Sequence, residues 1–205
     1  MGSLHLLLII CIGLVVWCIY RRYENSNMCY VKSTFDSREY MVRNRKDKQN
    51  AADMLAQIRH RVTLLARHMY NKSLVSKDPR YIANRPYITR LYNKIDDIVI
   101  VESSATSPYT SYTLNKGEKI IFCIRSKSLS NAINSMDMHD INLVMYVALH
   151  EISHIACPEY NHTALFKHIF RFICEEAIAY GIYKKIDFDV SPKEYCGMTI
   201  NDTVV

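Results

Sequence analysis

The chain has 205 residues, 49% hydrophobic and 22% charged, with 5 Gly, 5 Pro and a formal net charge of +6. That length fits one globular domain with appendages, and that composition excludes a disordered or collagen-like chain. The charge is unevenly spread, because residues 1–20 contain no Asp, Glu, Lys or Arg.

Leu4 to Tyr20 reads LHLLLIICIGLVVWCIY, 17 residues with His5 as the one polar side chain, followed by Arg21 and Arg22. This pattern predicts an amino-terminal transmembrane anchor over residues 1–22, which makes the lipid bilayer a partner through residues 4–20. A signal peptide would carry a basic start and a small-residue cleavage site, and this segment has neither. Trp17 and Tyr20 suit the lipid boundary, and Leu6 stands where a myristoylation pattern needs Ser or Thr. Residues 23–48 read as a basic juxtamembrane linker. From Arg21 to Lys48 eight Lys or Arg face four Asp or Glu, which by the positive-inside rule places the carboxyl-terminal domain in the cytosol. The aromatic and basic residues of this run form no recognisable base-stacking module, so nucleic acid is a disfavoured partner. The 7 Cys form no Cys-x-x-Cys pair and read as reduced thiols.

Residues 49–205 read as the folded domain. Ala51, Leu55, Ile58, Val62, Leu65 and Met69 recur in steps of three and four, which predicts an amphipathic helix over 50–70. Residues 75–95, with Pro79 and Pro86, predict a loop holding a short helical piece at 87–94. Segments 98–102, 110–114 and 119–124 predict strands, the last two joined by a hairpin at Asn115-Lys116-Gly117-Glu118. Apolar helices follow at 141–156 and 163–183. The alternation of Ile186, Phe188 and Val190 fits one more strand, to which no function attaches.

The first of those two helices ends in His150-Glu151-Ile152-Ser153-His154. His150 and His154 lie one turn apart on one face, close enough for both imidazoles to bind one Zn²⁺. Glu151 lies about 100° round the helix, placed to take a proton from water rather than to ligate. With 8 His in the chain, a chance match to this pattern has odds of about 1 in 75, so context decides. Pro158 stops the helix near Cys157, the chain turns back, and His162 is the third ligand, leaving a fourth position open for water. Glu175 and Glu176, on the following helix, are the alternative third ligand or carboxylates that orient the histidines, and Cys157 is a further alternative. Asp137, His139 and Asp140 read as a helix-capping loop.

The stretch from His150 to Lys167, with His-Glu-x-x-His, Asn161-His162-Thr163 and Phe166, resembles the active-site block of the Wss-like (WLM) metallopeptidases and their SprT-like relatives. It also resembles small metalloproteases of large DNA viruses that carry an amino-terminal membrane segment. The likeness is specific over about residues 140–183. Seven residues separate the second and third His here, where the usual pattern has five. The resemblance implies an α+β, zincin-like fold of helices on a small sheet, with an edge strand near 119–124 that pairs with a substrate peptide.

The expected function is that of a membrane-anchored, cytosol-facing zinc metalloprotease acting on a protein or peptide. His150, His154 and His162 would hold Zn²⁺, Glu151 would act as the base, and the oxyanion would be stabilised by zinc and by a nearby Tyr or His, such as Tyr160, among which the sequence does not choose. The alternative is a zincin-like, membrane-tethered interaction protein without activity.

Overall fold

A computed structural model describes residues 2–126 and 138–205, with the backbone alone for 2–4 and 19–26. Among the described residues, five helices and small sheets make an α+β fold. The three-and-four spacing after Asn50 becomes helix α2, Lys48–Val75, and every one of the six stripe residues from Ala51 to Met69 is buried. The expected loop at 75–95 is instead a second helix, α3, Pro79–Ile95. Asp78 caps it by accepting from the Arg80 amide at 2.8 Å, and Pro79 fits its first turn. Pro86 is tolerated because it and Ile82, one turn earlier, both face solvent, where the hydrogen bond a proline removes is replaced by water.

Strands β3 (Val99–Glu102), β4 (Tyr112–Leu114) and β5 (Lys119–Phe122) form one sheet in the order β3-β5-β4. The expected hairpin joins β4 to β5, antiparallel, with Leu114 opposite Lys119. Strand β5 also pairs parallel to β3, so it is the central strand and cannot be the substrate-binding edge that was expected at 119–124. The edges are β3 and β4.

Helix α4, Ile141–Ala156, runs through the middle of the core against α2, α3, the sheet and α5, Ala164–Ala179. Its sequence is apolar nearly all round, as a helix covered on several sides requires. Asp140 caps it as expected, accepting from Asn142 N at 2.9 Å and Leu143 N at 3.2 Å. Thr163 caps α5 by accepting from Phe166 N at 3.2 Å.

Residues 23–48 are more than a linker. They hold an antiparallel hairpin, β1 (Met28–Lys32) with β2 (Glu39–Arg43), packed on α2 and β3. Arg43, counted above as juxtamembrane charge, is buried. Its amide donates to Glu102 Oε2 at 2.7 Å, and its guanidinium sits 3.3 Å from the same carboxylate.

The carboxyl-terminal hairpin, β6 (Lys193–Tyr195) with β7 (Met198–Ile200), replaces the strand expected at 186–190. A disulfide from Cys123, just past β5, to Cys196 in the turn of this hairpin overturns the reading of seven reduced thiols. The two cysteines stand 73 residues apart, so no local spacing announces them. In the loop-closure account a bond over such a span stabilises by about 4 kcal/mol. Breaking it with a dithiol reductant is therefore expected to lower the unfolding free energy by about 2–4 kcal/mol, read as a lower urea midpoint. An unchanged midpoint would contradict that role.

Helix α1 spans Gly2–Ser26. Among the described residues no helix is long and apolar enough to cross a membrane, which overturns the spanning anchor, the single-pass placement and the cytosol-facing orientation derived from it. The physical reason is length: the 17 residues Leu4–Tyr20, with the polar His5 among them, reach about 25 Å, against a hydrocarbon core of about 30 Å, before Arg21 begins the charged part of the helix.

Candidate metal centre

The last turns of α4 present His150 and His154 on one face, with their Nε2 atoms 3.2 Å apart. Helix α4 stops at Ala156, and the chain reverses through residues 157–163. Asn161 makes the final bend with φ +64°, a left-handed conformation that Asn accepts better than most residues. The bend delivers His162 Nε2 to within 3.0 Å of His150 Nε2. The seven-residue separation thus closes into a site.

Phe166, on the first turn of α5 and 1% exposed, is the floor beneath all three rings. The His154 ring stacks on it at 4.2 Å, and those of His150 and His162 meet it edge-on at 5.0 and 4.9 Å. Packing against a buried ring restricts the side-chain rotations that would let the imidazoles turn apart.

The donor set fits a metal ion. The three ligand nitrogens lie within 4.8 Å of one another. Burial, and then the charge each would feel from its neighbours, lowers the pKa of His150 to about 3 and of His154 to about 4. Both rings are therefore neutral at pH 7, with a lone pair for a cation, and three imidazoles with no thiolate suit a transition-metal ion such as zinc, copper, iron or nickel.

Glu151 is buried on the adjacent face of α4. Thr113 of β4 donates to its Oε2 at 2.7 Å, and burial raises the carboxyl pKa to about 7, the Thr113 hydrogen bond pulling the other way. A carboxyl group with a pKa near neutrality can both take and return a proton.

His150, Glu151 and His162 open onto a cleft of about 930 Å³. One wall is α5 with Lys167, His168 and Arg171; another is the carboxyl-terminal hairpin with Tyr195 and the residues after it. Tyr195 is buried, and its hydroxyl shares a 2.7 Å hydrogen bond with Ser111 Oγ; burial raises its pKa. Tyr160, the residue named for the oxyanion, is 75% exposed, with its ring 4.5 Å from the Lys116 ammonium, and it does not line the cleft.

The alternative ligands are engaged elsewhere. Glu176 is buried, accepting from Tyr81, from Lys72 at 3.2 Å and from Arg80 at 3.0 Å, and Glu175 pairs with Arg80 at 3.4 Å. Cys157 is buried at the end of α4 and does not join the three nitrogens. His139 Nε2 lies 3.2 Å from Cys196 Sγ, and Asp137 falls outside the described residues. Thr113, Lys116 and Tyr195 are the site residues that sequence reasoning missed, since each reaches the site from a segment whose own pattern reads only as strand or turn.

No family model and no solved structure matches the chain. An uncharacterized protein, R325, of Acanthamoeba polyphaga mimivirus is 37% identical over 202 residues, 98% of this chain and 96% of that protein. Uncharacterized protein 136R of Invertebrate iridescent virus 6 is 37% identical over 86 residues, 42% of this chain and 44% of that protein. Uncharacterized protein 042R of Invertebrate iridescent virus 3 is 36% identical over 107 residues, 52% of this chain and 58% of that protein.

Proposed function

The chain belongs to the family of viral proteins that includes the mimivirus protein R325, and from the chemistry of its histidine cluster we propose that it is a zinc-dependent peptidase. The observation that carries this reading is the pairing of three convergent imidazoles with a buried carboxyl group beside the first of them on the same helix. A metal site serving structure alone has no use for a base beside its ligands. The resemblance of residues 140–183 to WLM and SprT-like peptidases points the same way.

In this reading His150, His154 and His162 hold zinc through Nε2. The ion supplies Lewis acidity toward water and a peptide carbonyl. Glu151 takes the proton of the attacking water and hands it to the leaving amine nitrogen, which keeps the base neutral or singly charged throughout. Thr113 donates to Oε2 and so helps to hold the carboxyl group in place. The cleft beside the site, walled by α5 and the carboxyl-terminal hairpin, receives the peptide.

The test is cleavage of an unbiased peptide library by the zinc-loaded protein. Cleavage is expected, with loss on chelation and return on adding zinc. Zinc-loaded protein that cleaves nothing in the library would contradict the peptidase reading and leave a metal site without hydrolysis.

A further inference from the structure

The hairpin turn between β4 and β5 has an unusual occupant. Asn115 and Lys116 both adopt left-handed backbone, at φ +47° and +53°, followed by Gly117 at +108°. Left-handed turn positions favour Asn and Gly, and a lysine held in one carries a conformational cost. Gly117 shows how closely the turn is seated: a Cβ on it would stand 3.1 Å from the Ile155 side chain at the end of α4.

From that seat the Lys116 ammonium reaches the segment that links the second and third histidines. It donates to the carbonyls of Cys157 at 3.1 Å and Glu159, lies 3.4 Å from that of His154, and sits 4.5 Å from the Tyr160 ring centroid. The carbonyls at a helix end lack partners within the helix and carry partial negative charge, so a cation is well placed there. One ammonium thus ties the last turn of α4, which carries His154, to the reversing loop that carries His162. The same hairpin sends Thr113 to Glu151.

We propose that Lys116 is a positioning residue of the metal centre, holding the 157–162 loop in the one course that brings His162 to His150 and His154. This inference rests on the zinc reading above. It predicts that Lys116 acts on metal binding chiefly through His162.

The test is a double-mutant cycle on the full chain, with zinc affinity measured by competition against a chromophoric chelator. Lys116→Asn is the informative variant, because Asn suits the left-handed turn and cannot reach the carbonyls. It is expected to weaken zinc binding about 10–100-fold, the range seen for residues that orient metal ligands, while the unfolding temperature of the metal-free protein stays within a few degrees. Lys116→Arg, which keeps a cationic donor, is expected to stay within about threefold of wild type. In a His162→Ala background, Lys116→Asn is expected to change the affinity by no more than about twofold, since the ligand it positions is gone. If Lys116→Asn fails to fold, Lys116→Met, which keeps the stem and loses only the donors, takes its place with the same expectations.

Wild-type affinity in Lys116→Asn, or an equal loss with and without His162, would overturn the positioning role while leaving the zinc site standing. Wild-type protein that binds no zinc would overturn the zinc reading itself, and this role with it.

Discussion

Glu151→Gln is expected to abolish peptide hydrolysis while leaving zinc in place. The exchange keeps the size and the planar end of the side chain, so the Thr113 hydroxyl retains an acceptor and the buried space stays filled. What is lost is the proton acceptor. A positioned general base contributes about 10²–10⁴-fold to such reactions, and kcat is expected to fall by that factor. Zinc affinity is expected to stay within a few fold, because Glu151 is not one of the three convergent ligands. Retained zinc-dependent turnover in the variant would show that the carboxyl group is not the base. Joint loss of zinc and turnover would move Glu151 into the ligand set.

Glu176→Ala is expected to destabilise the fold by about 2–4 kcal/mol without weakening zinc binding. The carboxylate is the buried end of a network linking α5 to α2 and α3, accepting from Tyr81, Lys72 and Arg80. Its removal strands the Tyr81 hydroxyl, whose residue is fully buried, and an unsatisfied buried group costs about 1–3 kcal/mol. The two cations are only half-covered and can return to water, which keeps the loss below that of a fully buried ion pair. Glu176→Gln should recover part of the loss, since an amide oxygen still accepts from Tyr81. Urea unfolding with zinc titration in parallel separates the two effects. A fall in zinc affinity matching that of a histidine variant would restore Glu176 as a ligand candidate.

The parts of this fold legible in the sequence are those governed by spacing along one element. The stripe of α2, the cap of α4 at Asp140 and the placing of His150 beside His154 all follow from residues within a few turns of one another. His162 was legible at one remove, because Pro158 and the start of α5 force the chain back toward the helix it has left.

The parts that were not legible depend on partners far away in the chain. Arg43 counted as linker charge because nothing local reveals Glu102, 59 residues on, which takes it into the core. Pro86 read as a helix breaker because the sequence does not say which face of α3 meets solvent. The pairing of Cys123 with Cys196 needs the carboxyl-terminal hairpin to fold back over β5, and the roles of Thr113 and Lys116 need the β4–β5 turn to abut the end of α4. The apolar run at the start of the chain reads as an anchor by its character, whereas its 17 residues stand at the short limit of what spans a bilayer, and no described helix is long and apolar enough to cross one.

Three imidazoles from α4 and the following loop are proposed to hold one zinc ion. Elemental analysis of the purified full chain, dialysed against buffered zinc, tests it most directly when wild type is set beside His150→Ala, His154→Ala and His162→Ala. The account predicts one zinc per chain in wild type and loss of stoichiometric zinc in each variant, with the disulfide and the fold intact. Wild-type protein without zinc, or a His162→Ala variant that keeps a full equivalent at wild-type affinity, would contradict it.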